Sequence, residues 1–229
     1  MKKPLTELHT EAFTAEREWA VDGIPVLTAA VSLPTPVPAD NAVSRRIQRY
    51  YRLQCRSYLR YCERFLLPLA AEEYHAALSI SAPLPCFRAE LSYCVTYNES
   101  GLWSLYTQSK ETTLPGRTLL LRYGDTWDLA SGYPIPLSAF FPPRDRWKRR
   151  LLALAAEEIQ RQLSAGTALY REDWRRRLRR SFNSRNYYLT AGGLAFFFPM
   201  YALAPAVEGI PVFTVPYRRQ AEKNERPSC

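Results

Sequence analysis

The chain has 229 residues, of which 47% are hydrophobic and 23% charged, and its formal net charge is +9. This balance is typical of a globular protein and excludes a disordered or fibrous one. A chain of this length can bury a full core, so it needs neither a disulfide nor a metal to fold. The excess of positive charge is nearly all arginine, and it raises the question of an anionic partner.

The first part of the chain is predicted to hold a strand and one long helix. Residues 1–22 are polar and acidic and indicate no firm element. Val21–Leu33 is predicted to be a strand, and the following Pro34–Pro38 a stiff connector, because proline fits neither a helix interior nor a strand ladder. From Asn41 to Leu78 apolar residues recur at three- and four-residue steps, which predicts a helix. Pro68 should kink or split this helix.

Three strands joined by tight turns are predicted next. Phe87–Asn98 alternates apolar and polar residues, and Leu102–Glu111 follows it after the hairpin turn Asn98–Gly101. Arg117–Tyr123 is predicted to be the third strand, and Asp125–Leu129 could continue it. Together these segments predict an antiparallel meander.

The last part of the chain adds helices and a closing β unit. Apolar stripes predict helices over Arg144–Gly166 and Ala168–Ser181. Tyr187–Thr190 and Leu194–Phe198 flank two glycines and are predicted to pair as a hairpin, followed by a short last strand at Val212–Val215.

The order of these elements predicts an α+β fold. In it, an antiparallel sheet (meander plus C-terminal hairpin) packs against a long N-terminal helix and one or two C-terminal helices. No linker divides the chain, so we expect a single domain over residues 20–217, with loosely defined halves at 20–143 and 144–217. The polar tail, residues 218–229, is expected to be disordered.

Targeting and redox signals are weak. The chain begins Met1-Lys2-Lys3, but acidic residues interrupt the apolar stretch that a signal peptide needs. No hydrophobic run approaches the roughly 20 residues of a membrane span, so the chain as given is expected to stay in the cytoplasm.

The cysteines that are close in sequence are too far apart in space to form disulfides, along a helix for Cys55 and Cys62 and along a strand for Cys86 and Cys94. This spacing favours buried free thiols in a reducing compartment.

No recognisable catalytic constellation stands in the sequence. The nucleophile-elbow, metalloprotease, P-loop and dinucleotide-binding motifs are absent. The two histidines, His9 and His75, have no nearby nucleophile in an activating pattern, and potential metal ligands do not cluster. Asp125 and Asp128 could be paired carboxylates, but turn hydrogen bonds explain them more simply. We therefore expect a protein that is not an enzyme and has no cofactor or metal.

A run of seven arginines between Arg171 and Arg185 is the clearest charge signal. On a helix Arg175, Arg176 and Arg179 fall together, which makes them candidate contacts for phosphate groups. One interpretation is therefore a polyanion or nucleic-acid binder. The other is a solvated helix face, partly paired with neighbouring acids, and the sequence favours this second interpretation because it holds no nucleic-acid-binding motif.

The segment Tyr187–Tyr217 carries the most specific signal. Its motifs are Tyr188-Leu189-Thr190, Gly193-Leu194, Phe196–Phe198, Tyr201, Ala204-Pro205, Gly209 and Val215-Pro216-Tyr217. This string resembles the C-terminal domain of the RsiV-like family (anti-sigma-V factors), whose general function is unknown. More loosely, residues 20–143 are similar to the N-terminal half that is attached to some polysaccharide deacetylases.

The resemblance implies a non-enzymatic domain that binds an unknown protein or small ligand, like the sensor domain of anti-sigma factors. Tyr187, Tyr188 and Tyr201 are candidate binding residues, although a place in the core is the favoured interpretation for these aromatic side chains. Family members commonly follow a membrane span or signal, which this sequence does not show. The RsiV branch binds lysozyme, a basic protein. A domain of charge +9 should repel it, so lysozyme binding is not expected.

Overall fold

The computed structural model describes residues 5–114 and 117–217, which form a mixed α+β fold. A curled six-stranded sheet contains, in spatial order, β1 (Thr10–Val21), β2 (Ile24–Pro36), β3 (Phe87–Glu99), β4 (Leu102–Leu114), β5 (Arg117–Asp128) and β6 (Tyr133–Pro134). A three-stranded sheet contains β7 (Tyr187–Thr190), β8 (Gly193–Phe197) and β9 (Val212–Pro216). The helical elements are α1 (Ala42–Tyr61), a π turn (Cys62–Leu66), α2 (Leu67–Ser79), α3 (Trp147–Ala165) and α4 (Trp174–Arg180), with short 3₁₀ helices at Leu137–Phe140 and Ala206–Glu208.

These elements confirm the predicted fold class. The meander is β3–β5, the C-terminal hairpin is β7–β8, and α3 and α4 are the two C-terminal helices. The Pro115-Gly116 turn and the tail predicted to be disordered, residues 218–229, lie outside the described residues.

One strand pair departs from the antiparallel pattern. β2 and β3 run parallel, with Leu27 opposite Phe87 and Val31 opposite Leu91, whereas the other pairs of this sheet are antiparallel. Parallel neighbours need a long crossover connection, usually a helix. Here the helical segment from α1 to α2 provides the crossover, so it also lies against the sheet.

The first strand, β1, occupies a stretch for which the pattern indicated no element. Most of its side chains are exposed or half-buried, so its pairing with β2 holds it in place more than a hydrophobic face does. Two of the three prolines predicted to form a connector belong to β2, with Pro34 opposite Ala12 and Pro36 opposite Thr10, and Pro38 follows the strand. β3 pairs with β2 only as far as Val31. Beyond that residue β2 has a free edge, where a proline costs no ladder bond.

The long helix runs for 38 residues through α1, the π turn and α2. The kink or split predicted at Pro68 takes the form of the π turn that precedes it, in which the N–H of Leu67 bonds to the carbonyl of Cys62. Because proline has no N–H and crowds the preceding turn, the wider π turn accommodates it without separating the two helices.

The two faces of the six-stranded sheet are covered by different layers. On one face α1 packs Tyr51 against Trp103 and Trp127. On the other face Tyr188 of β7 packs with Tyr106 of β4. Side chains alternate along a strand, so the odd-numbered residues of β4 and β5 face α1 and the even-numbered residues face the three-stranded sheet.

The close approach of the two sheets depends on Gly124. A Cβ atom at this position would lie 1.9 Å from the carbonyl oxygen of Tyr187 on β7. Nearby, the hydroxyl of Ser104 accepts the N–H of Leu189 at 2.8 Å and lies 2.7 Å from the hydroxyl of Thr126. β7 is therefore held so close to β4 and β5 that there is no room for a side chain at position 124.

Helices α3 and α4 cover the outer face of the three-stranded sheet, where Leu151 of α3 and Trp174 of α4 join one hydrophobic cluster with β8. The helix predicted over Ala168–Ser181 is formed only over α4. In the irregular stretch before it, the N–H of Arg171 bonds to the carbonyl of Leu203 at 2.9 Å. This long-range bond takes the place of a helical one.

Cysteine burial is mixed, and the described cysteines are free. Cys55 and Cys62 are buried, as predicted, but the prediction is wrong for Cys86 and Cys94, which are exposed. Cys86 directly precedes β3, and Cys94 lies on β3 opposite Tyr106. Within residues 5–114 and 117–217, no helix is both long and apolar enough to cross a membrane.

Candidate functional site

A cavity of about 910 Å³ forms a groove between α3 and α4. Its rim carries five cations, which are Arg146, Lys148, Arg149, Arg175 and Arg179. Its floor is apolar and consists of Trp147, Leu152, Ala156, Trp174 and Leu178, with Ala153 beside them. We call this site the basic groove. It combines exposed positive charge with aromatic and aliphatic surface.

The floor of the basic groove belongs to the hydrophobic core. Trp174 and Leu178 are buried in the cluster under α3 and α4. Trp147 stacks on Phe141 with ring centroids 5.5 Å apart and an interplanar angle of 13°. Each of the two helices buries a stripe of apolar side chains against β8. The edges of Trp147, Trp174 and Leu178 remain accessible at the bottom of the groove.

The rim charges are little neutralised by carboxylates. Asp145, the one acidic residue among the described lining residues, lies 2.8 Å from Arg150, outside the lining. Arg175 lies over the ring of Trp174, 4.3 Å from its centroid, and donates to the side-chain oxygen of Gln160 at 2.8 Å. The cation–π contact and the neutral amide position Arg175 without cancelling its charge.

The three arginines predicted as one group are divided by the structure. Arg175 and Arg179 line the basic groove. Arg176 does not, and instead pairs with Asp173 at 2.9 Å, which also pairs with Arg177 at 2.6 Å. Hydrogen bonds from Arg177 and Arg176 hold the pKa of Asp173 below its usual value. This pairing was visible in the sequence as carboxylate–arginine spacings of three and four residues.

The three predicted tyrosines do not lie together. Tyr187 is buried on the α3 side of β7, and its hydroxyl donates to the carbonyl of Ile135. Tyr188 is buried on the opposite side, where it receives a 3.4 Å hydrogen bond from Arg122. Tyr201 is 42% exposed, in a loop with a left-handed backbone at φ 68°. It is the only one of the three with a largely accessible side chain, and it is not part of the basic groove lining.

A second cavity of about 610 Å³ runs along α1 and was not predicted. One stripe of α1 and its continuation supplies Tyr50, Gln54, Ser57, Tyr58 and Tyr61, at steps of three and four residues. The sheet contributes Leu91, Ser109, Glu111, Leu121, Tyr123 and Asp125, and the segment before β7 contributes Asn183, Arg185 and Asn186. We call this site the tyrosine cleft. The helical spacing of its tyrosines was visible in the sequence, but it is equally typical of a core-facing stripe.

At one end of the tyrosine cleft stands Asp125. Its carboxylate accepts hydrogen bonds from Tyr51 at 3.1 Å and Tyr50 at 3.3 Å, and the hydroxyl of Tyr51 accepts the indole N–H of Trp127 at 3.1 Å. Burial raises the pKa of Asp125, and the two tyrosine hydrogen bonds only partly oppose this effect. Asp128, its predicted turn partner, accepts instead from the N–H of Ala130 at 2.9 Å. The turn interpretation is therefore right for Asp128 and wrong for Asp125.

At the other end stands Glu111, which is 3% exposed. Its carboxylate accepts from Tyr61 at 3.0 Å and from Ser109 at 3.5 Å. Burial raises the pKa of Glu111, and burial also raises the pKa of Tyr61 to about 12. Among the described residues no three His, Cys, Asp or Glu side chains stand close enough to hold a metal ion.

Comparison with known proteins places part of this chain in a family context. Residues 138–218 match the model of a protein family of unknown function, DUF3298. The chain is similar to the crystal structure of a DUF3298 family member from Bacteroides fragilis, at 13% identity and a TM-score of 0.63, over 94% of this chain and 92% of that one. It is also similar to a DUF3298 family protein from Pseudomonas aeruginosa, at 17% identity and a TM-score of 0.58, over 92% and 91%. No curated protein matches the sequence.

At these identities the similarity to the two crystal structures shows a shared fold across nearly the whole chain. The segment that matches the family model contains α3, α4 and the strands of the smaller sheet, and therefore the whole basic groove. The tyrosine cleft draws on that segment only through Asn183, Arg185 and Asn186.

Proposed function

We propose that this protein is a non-enzymatic binding domain that holds an acidic, partly apolar segment of a partner protein in the basic groove. The observation that carries the proposal is the set of five exposed cations around a floor with two tryptophans. Asp145, the one carboxylate among the described lining residues, is paired with Arg150 and so does little to offset the rim. A ligand that fits must supply negative charge at its edges and apolar surface at its centre.

A protein segment suits this groove better than a nucleic acid does. The nucleic-acid interpretation of Arg171–Arg185 needs a row of cations that follows a phosphate backbone. Asp173 pairs with Arg176 and interrupts such a row, which leaves Arg175 and Arg179 facing the groove. Phosphate contact makes no use of an apolar floor, whereas protein interfaces combine aromatic anchors with a charged rim.

The family resemblance supports a binding role. The likeness of Tyr187–Tyr217 to the RsiV-like C-terminal domain suggests a sensor that binds its partner without transforming it. The looser likeness of residues 20–143 to a half attached to some polysaccharide deacetylases supports the same role, because that half accompanies a catalytic domain. A basic partner such as lysozyme does not suit a rim of five cations.

Fluorescence anisotropy with a labelled peptide, in which Leu and Phe are spaced between Asp and Glu, tests the proposal. The double variant Arg175→Ala/Arg179→Ala should bind it about tenfold more weakly at low salt, because two rim cations are lost. The matched control is Arg176→Ala/Arg180→Ala. It removes the same charge from the same helix but leaves the groove lining intact, and its affinity should change by less than about twofold.

Two further probes identify the ligand class. An all-acidic peptide without apolar residues should bind at least about fivefold more weakly than the mixed peptide, since it cannot use the floor. Equal losses in the two double variants would contradict the groove as the site. Tighter binding of a single-stranded oligonucleotide, with a steep dependence on salt, would favour the nucleic-acid alternative instead. Hydrolysis of an ester, glycoside or phosphate substrate, lost on substitution of one cavity residue, would contradict a non-enzymatic role.

A further inference from the structure

The tyrosine cleft is long and has a carboxylate at each end. Glu111 and Asp125 both line it. Their hydrogen-bond partners Tyr61 and Tyr51 are ten residues apart in the helical segment, or about 15 Å along its axis. On β4, Leu105 lies opposite Asp125 and six residues from Glu111, or about 20 Å along the strand. The carboxylates of a glycosidase pair lie within about 10 Å of each other, so these two are too far apart to act on one bond.

Both carboxylates lack a protein counterion. Within the described part of the chain neither Glu111 nor Asp125 forms an ion pair with a lysine or arginine. Their donors are the hydroxyls of tyrosine and serine, and each carboxylate keeps acceptor capacity beyond these two bonds. A cation close to a buried carboxylate favours its ionised form. Arg185 lines the same cleft but forms no ion pair with either carboxylate. Both carboxylates can therefore pair with a cation of a ligand.

The wall between the two ends is aromatic and aliphatic. Tyr58 and Tyr123 present rings to the cleft, and Leu91 and Leu121 line it beside them. Aromatic faces attract ammonium groups, and aliphatic side chains accommodate methylene groups. Near the middle, the side-chain amide of Gln54 donates to Thr107 while its oxygen is buried without a partner among the described residues. That oxygen is a neutral acceptor for an N–H group of a ligand.

We propose that the tyrosine cleft binds a linear aliphatic polyamine. Its terminal ammonium groups would pair with Glu111 and Asp125, and its methylene chain would lie along Tyr58 and Tyr123. Other ligand classes satisfy fewer of these groups, because an anion would meet two carboxylates and a neutral sugar would leave both without a counterion. The net charge of +9 opposes unspecific association of a polycation elsewhere on the surface, so binding would report on the cleft.

Calorimetric titration of the full chain with spermine tests this inference. Spermine should bind at one site, and Glu111→Gln and Asp125→Asn should each weaken binding by about tenfold or more, because each removes one buried ion pair. Putrescine is too short to reach both carboxylates, so it should bind at least about tenfold more weakly. The matched control is Glu157→Gln on α3, which removes one exposed carboxylate outside the cleft and should leave the affinity unchanged.

Several results would overturn the inference. They are an absence of spermine binding, an equal loss of affinity in Glu157→Gln, and competition by tetraethylene glycol, a neutral chain of similar length. Tyr123→Ala provides a second variant that leaves the carboxylates in place, and Tyr123 is 56% exposed, so its loss should not disturb the fold. It should weaken spermine binding about threefold to fivefold, because a cation–π contact is lost. Unchanged affinity in this variant, with a native circular-dichroism spectrum, would contradict the proposed position of the polyamine along Tyr123.

Discussion

The basic groove and the tyrosine cleft differ in the sign and the burial of their charged side chains. In the basic groove the cations stand exposed at the rim and cost little desolvation. In the tyrosine cleft two carboxylates lie under other side chains, with hydroxyls as their donors, and burial raises the pKa of both. Asp173 beside the groove shows the contrast, because two arginines hold the pKa of its carboxyl low. The net charge of the chain therefore does not predict the pKa of an individual carboxyl group. That pKa depends on its solvent access and on its hydrogen-bond and ion-pair partners.

A second difference is how each site is supported. The rim residues of the basic groove project from single helices, so most can change without moving a neighbour. The cleft joins α1, β4, β5 and the segment before β7, so its side chains are tied into hydrogen bonds across the fold. We expect substitutions in the cleft to affect stability, and substitutions at the groove rim to affect mainly binding.

The largest effect is expected at Gly124, which lines the tyrosine cleft where the two sheets approach each other. In Gly124→Ala the new Cβ would clash with the carbonyl of Tyr187 at 1.9 Å, so β5 and β7 would have to separate. We expect a loss of about 3 kcal/mol or more in the free energy of unfolding, measured by urea denaturation. Gly192→Ala is the control, since its nearest atom, of Thr190, lies at 4.0 Å, and it should cost less than about 1 kcal/mol. Similar stability of the two variants would show that the sheets do not approach this closely.

A smaller loss is expected for Tyr51→Phe in the wall of the cleft. It removes a hydrogen bond to Asp125 and leaves the buried indole N–H of Trp127 without its acceptor. The free energy of unfolding should fall by about 2 kcal/mol. Tyr50→Phe removes only the longer bond of a half-exposed hydroxyl and should cost about 0.5 kcal/mol. If the two variants were equally stable, the cleft would be no more tightly connected than the groove rim.

The smallest effect has the opposite sign and depends on pH. For an acid whose folded-state pKa is raised, the stabilising contribution is fully present below the unfolded pKa and is lost as the pH rises through the folded pKa. Glu111→Gln and Asp125→Asn cannot titrate. Relative to the wild type, each should therefore gain unfolding free energy as the pH rises above about 4, the usual pKa of a carboxyl group.

Asp128→Asn provides the contrasting control for that measurement. Hydrogen bonds lower the pKa of Asp128, so its contribution is present above the unfolded pKa and is lost as the pH falls. Asp128→Asn should therefore lose stability relative to the wild type as the pH rises. The same direction of change in all three variants would contradict the difference between a buried carboxylate and a solvated one.

The sequence predicted most of the helices and strands. The helix predicted over Asn41–Leu78 and the meander were recognisable because their patterns repeat within a few residues. β1 was missed because an edge strand depends on its partner more than on its own apolar face. The sequence placed Arg175, Arg176 and Arg179 on one helix face. In the structure Arg175 and Arg179 line one groove and Arg176 pairs with Asp173, a contact that the three-residue spacing favours.

By itself, the sequence determined the fold class, the long helix and the positive character of the α4 segment, because periodicity and charge are local properties. Only the tertiary structure decided that β2 and β3 run parallel, that Tyr187 and Tyr188 are buried on opposite sides of β7, and that a cleft exists along α1. Glu111 and Asp125 gain their properties from burial by residues far away in the chain. The local sequence around a carboxylate does not indicate whether it will be buried. The cleft could therefore be recognised only in the packed structure.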